Sequence, residues 1–193
     1  WVLEAASVKA AIRTAEPSLK NKKPIIMIST GAFLLNQRPL TRLAQKYTTK
    51  IYLPSGALCG LDGIKAARQI GSIHSISITS TKPPKGLAGA PGLTLGQKRK
   101  LAKSRTAFYL YKGGVKGAIQ KFPANVNVAA TTAIASQMAG KLKVRVVADP
   151  KAQLNQHEIK LVGDFGELTA VTRNRPSAMN PKTSALAIQS ALA

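Results

Sequence analysis

The sequence predicts an α/β fold, on two observations. Residues 2–53 alternate short apolar strand patterns with amphipathic helical ones, which is how parallel sheets are built, because a parallel pair needs a crossover long enough to hold a helix. Residues 73–172 instead hold several strand patterns around two helical stretches and one tight turn, the pattern of a sheet covered by helices on one face. The expected architecture is the C-terminal half of a Rossmann-like parallel sheet over 1–58, then an α+β domain over 59–180 and a C-terminal helix over 181–193.

Residues 2–5 form a short run of buried-strand type. Val8, Ala11, Ile12, Ala15 and Leu19 recur at helical spacing over 8–20, and Ser7 stands where an N-cap would. Residues 24–28 are continuously apolar, as in a central parallel strand. A strand-end turn is expected at 29–32, and a second helix from near Pro39 that buries Leu40, Leu43, Ala44 and Tyr47. Residues 50–53 are the third strand, and Pro54-Ser55-Gly56-Ala57 leads out of it. Ligands of open α/β sheets bind at the carboxyl ends of strands, so 29–32 and 54–57 are candidate site segments, although plain tight turns would look the same.

In the second part, residues 73–81 alternate as a half-buried strand that leaves His74 at a surface or edge. Lys82 ends it, read from pattern alone as a solvated charge. Residues 85–105 are rich in Gly, Pro, Lys and Arg and read as a mobile loop. Strands follow at 108–112 and 143–148, and helices at 115–122 and 125–138, broken by Pro123. Asn125 and Asn127 open the second helix and could cap it or bind a carboxamide. Asp62, at a helix start, is either a dipole-favoured first-turn acid or a substrate-orienting one. Asn180 and Pro181 read as N-cap and N1 of the last helix, with Lys182 in its first turn facing either surface or a substrate carboxylate.

Charge is the unusual property. Lys and Arg number 29 against 7 Asp and Glu, a net +22. The bases are spread out, and the denser groups at 20–23 and 97–105 lack interleaved aromatics to stack on bases. A solvated basic surface is therefore the reading, ahead of nucleic-acid binding. The single cysteine, Cys59, excludes an internal disulfide, fits a reducing cytoplasmic setting, and has no neighbouring base to make it a nucleophile. No apolar run is long enough to span a bilayer, and no zinc-spaced Cys/His cluster or Ser-His-Asp motif occurs. The G-x-G-x-x-G loop of a dinucleotide fold is also missing. The chain is therefore expected to be a fragment cut inside that domain, short by about 60 residues or more.

The most informative stretch is 148–167. His157, Ile159 and Leu161 alternate with Glu158 and Lys160, which puts the imidazole on the apolar face of a strand, and 163–166 turns the chain into a second strand at 167–172. The pattern leaves two readings: a core histidine with a satisfied hydrogen bond, the commoner case, or a group aimed into a closed site.

Six stretches in one order weigh on that choice: P-S-G-A-L-C-G-L-D at 54–62, F-P-A-N-V-N-V-A-A-T at 122–131, D-P at 149–150, N-x-H at 155–157, G-D-F-G at 163–166 and N-P-K-T-S at 180–184. Together they resemble the L-aspartate dehydrogenases over nearly the whole chain, and K-P-P at 82–84 resembles a motif of the same family. The resemblance implies oxidation of L-aspartate or a similar small dicarboxylate with NAD or NADP as cofactor. The product, iminoaspartate, would hydrolyse to oxaloacetate and ammonia or feed NAD synthesis. It implies His157 as the catalytic residue, Ala57 and Asn127 as cofactor contacts, and Ser55 and Lys182 as substrate contacts. It also implies a homodimer formed through the second domain. The rival readings are a related dehydrogenase for another small substrate and a non-catalytic basic nucleic-acid-binding protein.

Overall fold

The computed structural model describes residues 1–123, 126–178 and 183–192. β1 (Val2–Glu4), β2 (Ile25–Met27) and β3 (Ile51–Tyr52) form a parallel sheet in the order β1-β2-β3. α1 (Ala11–Lys20), α2 (Thr30–Leu35) and α3 (Gln37–Lys46) connect them. Ala11, Ala15 and Leu19 of α1 and Leu40 and Ala44 of α3 pack on Ile25 and Met27, so the 3.6-residue spacing of α1 and α3 becomes one buried face.

Three expectations shift here. α1 starts at Ala11, not Val8, because residues 8–10 form a turn in which Ser7 accepts from the Ala10 N–H through Oγ at 3.2 Å. The segment at 29–32 is not a turn: Thr30, Gly31, Ala32 and Phe33 are buried in α2. The helix placed near Pro39 begins two residues earlier, at Gln37.

The second sheet has five strands: β4 (Ile73–Lys82), β5 (Phe108–Gly114), β6 (Lys143–Ala148), β7 (Asn155–Gly163) and β8 (Gly166–Asn174), in the order β5-β6-β4-β7-β8. Only β4 and β6 run parallel; the other pairs are antiparallel. One face is covered by α4 (Leu61–Ile70), α6 (Val115–Lys121) and α7 (Asn127–Ser136). α7 is buried nearly all round. Its alanines and threonines let α2, α4 and α6 approach it closely, and it joins the two halves of the molecule.

A register shift in β4 between Ile73 and Ser75 buries both Ile73 and Ile76 and leaves His74 exposed, where it pairs with Asp164 at 2.7 Å. The stretch 85–105 is not a mobile loop. A 3₁₀ turn at Pro84–Gly86 is followed by buried Leu87, Ala90 and Leu93 and by α5 (Leu95–Lys103), which opens with a Thr94–Gln97 capping box. The last helix, α8 (Ala185–Gln189), begins after Ser184, and residues 179–182, with the expected cap Asn180-Pro181, lie outside the described residues. Among the described residues no helix is long and apolar enough to cross a membrane.

Candidate active site

The carboxyl ends of β2 and β3 open onto a cleft closed from the other side by the start of α7, the β4–β7 pair and α8. It encloses ≈ 600 Å³ of atom-free space, part of it open to solvent. Ile28, Thr30, Pro54, Ser55, Gly56, Ala57, Lys82, Asn127, Thr131, His157 and Ser184 are among its lining residues.

His157 sits on the buried face of β7, 2% exposed and directly opposite Ser80 of β4. The Ser80 Oγ lies 2.9 Å from Nδ1, which leaves Nε2 for the cleft. Burial, aided by the positive charge of Lys82, pushes the imidazole pKa down to about 3. The ring is therefore neutral at neutral pH. Lys82 ends β4 and is itself 4% exposed, with burial lowering its pKa from 10.5 to about 8. It is not the solvated strand-end charge that the pattern alone implied. The core face of β4 reads Ile76, Ile78, Ser80, Lys82, so two polar residues continue an apolar line. That break was the available signal for both.

Asn127 is the first residue of α7, but its side chain does not cap that helix. Its Oδ1 accepts from the Gly31 N–H at 3.2 Å, and its carbonyl accepts from the hydroxyls of Thr30 at 2.8 Å and Thr131 at 3.0 Å. A Cβ on Gly31 would come 3.3 Å from that Oδ1, so glycine permits the approach. Ala57 is buried, and its carbonyl accepts from Thr172 Oγ1 at 2.7 Å and Asn174 Nδ2 at 3.1 Å, both on β8. Gly56, at φ +67°, donates its N–H to Ser190 Oγ at 3.0 Å. Ser55 is at the exposed rim. Four of the five expected site residues thus line one cleft; the fifth, Lys182, lies outside the described residues, as does Asn125. Asp62 is exposed in the first turn of α4 and is not among the described lining residues.

Two more polar groups support the cleft. The buried Glu4 carboxylate accepts from Ala6 N–H at 2.9 Å and from Ser29 N–H and Oγ, each at 3.0 Å, so it ties the carboxyl ends of β1 and β2 together. Asn155, fully buried, donates to Ser184 Oγ at 3.3 Å. Among the described residues no group of three His, Cys, Asp or Glu could hold a metal ion.

A parallel sheet whose strand ends face a cleft shared with a helix-covered mixed sheet is the plan of a pyridine-nucleotide dehydrogenase. A hyperthermophilic archaeal homoserine dehydrogenase, solved with NADPH, has this fold over 99% of the chain and 69% of its own length, with a TM-score of 0.54 at 10% identity. Aspartate dehydrogenase from Thermotoga maritima matches more closely, with a TM-score of 0.75 and 28% identity over 98% of this chain and 72% of that one. The family model for the C-terminal part of aspartate dehydrogenase matches residues 62–193. L-Aspartate dehydrogenases of Methanosarcina barkeri and Methanocaldococcus jannaschii are each 42% identical, over 100% and 99% of this chain and 71% and 70% of their own lengths. The chain belongs to the L-aspartate dehydrogenase family of oxidoreductases.

Proposed function

We propose that the protein oxidises L-aspartate with NAD or NADP, giving iminoaspartate and then oxaloacetate and ammonia, a reaction that can feed NAD biosynthesis. The observation that carries this reading is a neutral, buried imidazole in a cleft whose described lining bears a buried lysine and no carboxylate. The cleft fits a dinucleotide's reactive end. Gly56 has open space where a Cβ would stand, and Ala57 adds only a methyl, so a planar ring can lie against the 54–57 backbone. Ala57 and Asn127 would hold that end. Asn127 Oδ1 is committed to Gly31, which turns its amide N–H groups to the role of donating to a carboxamide oxygen.

When bound, the nicotinamide supplies the hydride acceptor. The chain supplies position and proton handling. Ser55 at the rim and Lys182 would contact substrate. His157, neutral and fixed through Nδ1 by Ser80, offers Nε2 to orient the water that attacks the imine and takes up its proton as the C–O bond forms. The negative charge of a bound dicarboxylate raises the ring's proton affinity from its low resting value toward that task. Residues 1–58 then bring Ser55 and Ala57 to the cleft and 59–180 bring Asn127 and His157, the latter part also forming a homodimer in the cytoplasm.

A steady-state panel of amino acids with NAD⁺ and NADP⁺ on the holoenzyme tests the reading. Reduction with L-aspartate, and little with homoserine, alanine or glutamate, is the expected result. Turnover of another amino acid in place of aspartate would replace the substrate named here.

A further inference from the structure

The chain has 29 lysines and arginines, and nearly all of those among the described residues face solvent. Among the described residues Lys82 is the one that is buried, and it is also the one that lines the cleft. Its backbone is held by β6 and the residue that follows it. It pairs in register with Ala148 of β6, and its carbonyl accepts from the Asp149 N–H at 3.0 Å. Its β4 neighbours Ser80 and Thr81 are paired with His157 and Gln156 of β7. The side chain projects from the same face of β4 as Ser80, and so beside His157.

A buried ammonium carries a desolvation cost that an apolar side chain of the same length would not. Such a position is useful where a ligand brings negative charge. From its place at the carboxyl end of β4, beside the imidazole and in a cleft whose described lining holds no Asp or Glu, we infer that Lys82 is a substrate-binding residue that pairs with a carboxylate of the substrate. This rests on the dicarboxylate reading above and adds the residue that recognises the charge. It also gives the basic cleft a division of labour: His157 handles water and proton, and Lys82 supplies the fixed positive charge.

Burial holds the Lys82 pKa at about 8, and an anion bound to it favours the protonated form. Carboxylate binding is therefore strongest below that pH and weakens as the ammonium is lost above it. The other titratable group that lines the cleft among the described residues is His157. It stays neutral throughout that range, because its pKa lies near 3.

The test uses succinate, a dicarboxylate without the reacting amine, as competitive inhibitor of the holoenzyme, alongside aspartate kinetics. Lys82→Met should raise the succinate Ki and the aspartate KM roughly 30-fold or more, the scale of losing one partner of a buried charge pair. The cofactor KM should stay unchanged, and Lys82→Arg should recover part of the loss. A Lys82→Met enzyme with normal KM and Ki but a collapsed kcat would overturn the inference and make Lys82 a group that tunes His157. If that variant does not fold, the wild type still decides. Its succinate Ki should be flat from pH 6.5 to 7.5 and rise above about pH 8, and a Ki flat to pH 9.5 refutes the assignment. If the wild type forms no NADH from aspartate, calorimetric titration of succinate into residues 1–193 over the same pH range judges Lys82 apart from the activity.

Discussion

The two sheets each have one face covered by helices and one face bare, and the bare faces differ in kind. On the three-stranded sheet it carries Trp1, Leu3 and Tyr52, with Trp1 stacked on Tyr52 at a centroid distance of 5.0 Å and itself 73% exposed. On the five-stranded sheet the bare face carries Ser75, Ser77, Thr79 and Thr81 of β4, Lys143 and Arg145 of β6, and Glu158 and Lys160 of β7. Parallel strands built for burial on both sides read as continuous apolar runs, whereas a sheet solvated on one side alternates. The first sheet thus has the composition of a middle layer and the second that of an outer one. The cleft lies between them. Backbone ends from the parallel sheet meet side-chain chemistry from the mixed sheet.

Experiments can sharpen that division. The largest effect is expected on the mixed sheet: His157→Ala should lower kcat by about 10²-fold or more with the fold intact, and near wild-type kcat would remove His157 from the mechanism. At the junction, Asn127→Ala and Ala57→Leu should raise the cofactor KM about tenfold, more than the aspartate KM, since one loses an amide contact and the other crowds the ring. Equal changes in both constants would move the cofactor contact elsewhere. On the parallel sheet, residues 1–193 expressed alone should self-associate and bind nicotinamide dinucleotide only weakly and in a salt-sensitive way, since the sequence has no G-x-G-x-x-G loop to hold a pyrophosphate. Leu3→Lys with Tyr52→Lys should restore a monodisperse species by sedimentation velocity. Saturable, salt-resistant binding by the unmodified chain would contradict this.

The smallest effect belongs to Asp164 at the β7–β8 turn. Its carboxyl pKa is held below 3.8, first by the Ser72 N–H and then by His74. A depressed carboxyl pKa favours the folded state above the unfolded pKa, and that contribution disappears as pH falls through the folded value. Asp164→Asn should therefore lower the urea midpoint slightly at pH 7 and match the wild type near pH 2. A difference that persists at low pH would trace to something other than charge.

Much of this was legible in the sequence where one local rule sufficed. The alternation around His157, the apolar run of β2 and the spacing in α1 and α3 each state which face is buried. Sequence reasoning failed where a tertiary contact decided. Asn127 could cap its helix or bind a carboxamide, and neither reading from sequence reaches the bond from its side chain to Gly31, 96 residues away. Lys82 looked solvated because lysine at a strand end usually is, and only the packing of β4 between β6 and β7 buries it. The bulge that places His74 is a one-residue irregularity with no mark in composition. α5 was missed for a different reason. Its Thr94–Gln97 capping box was present, but the surrounding lysines and glycines weighed toward a loop.

The ties that close the cleft also set an order of events in time. Ala57 is held by Thr172 and Asn174, and Gly56 by Ser190, across 115, 117 and 134 residues of chain. Loops of that length close slowly and late. On a ribosome, which adds residues from the amino end, β1, β2 and β3 are made long before the residues that clamp their exit loop exist. The strand ends proposed to receive the cofactor must therefore wait, loosely held, until Ser190 has been made. A truncation of α8 would leave both sheets intact and still deprive the enzyme of its latch.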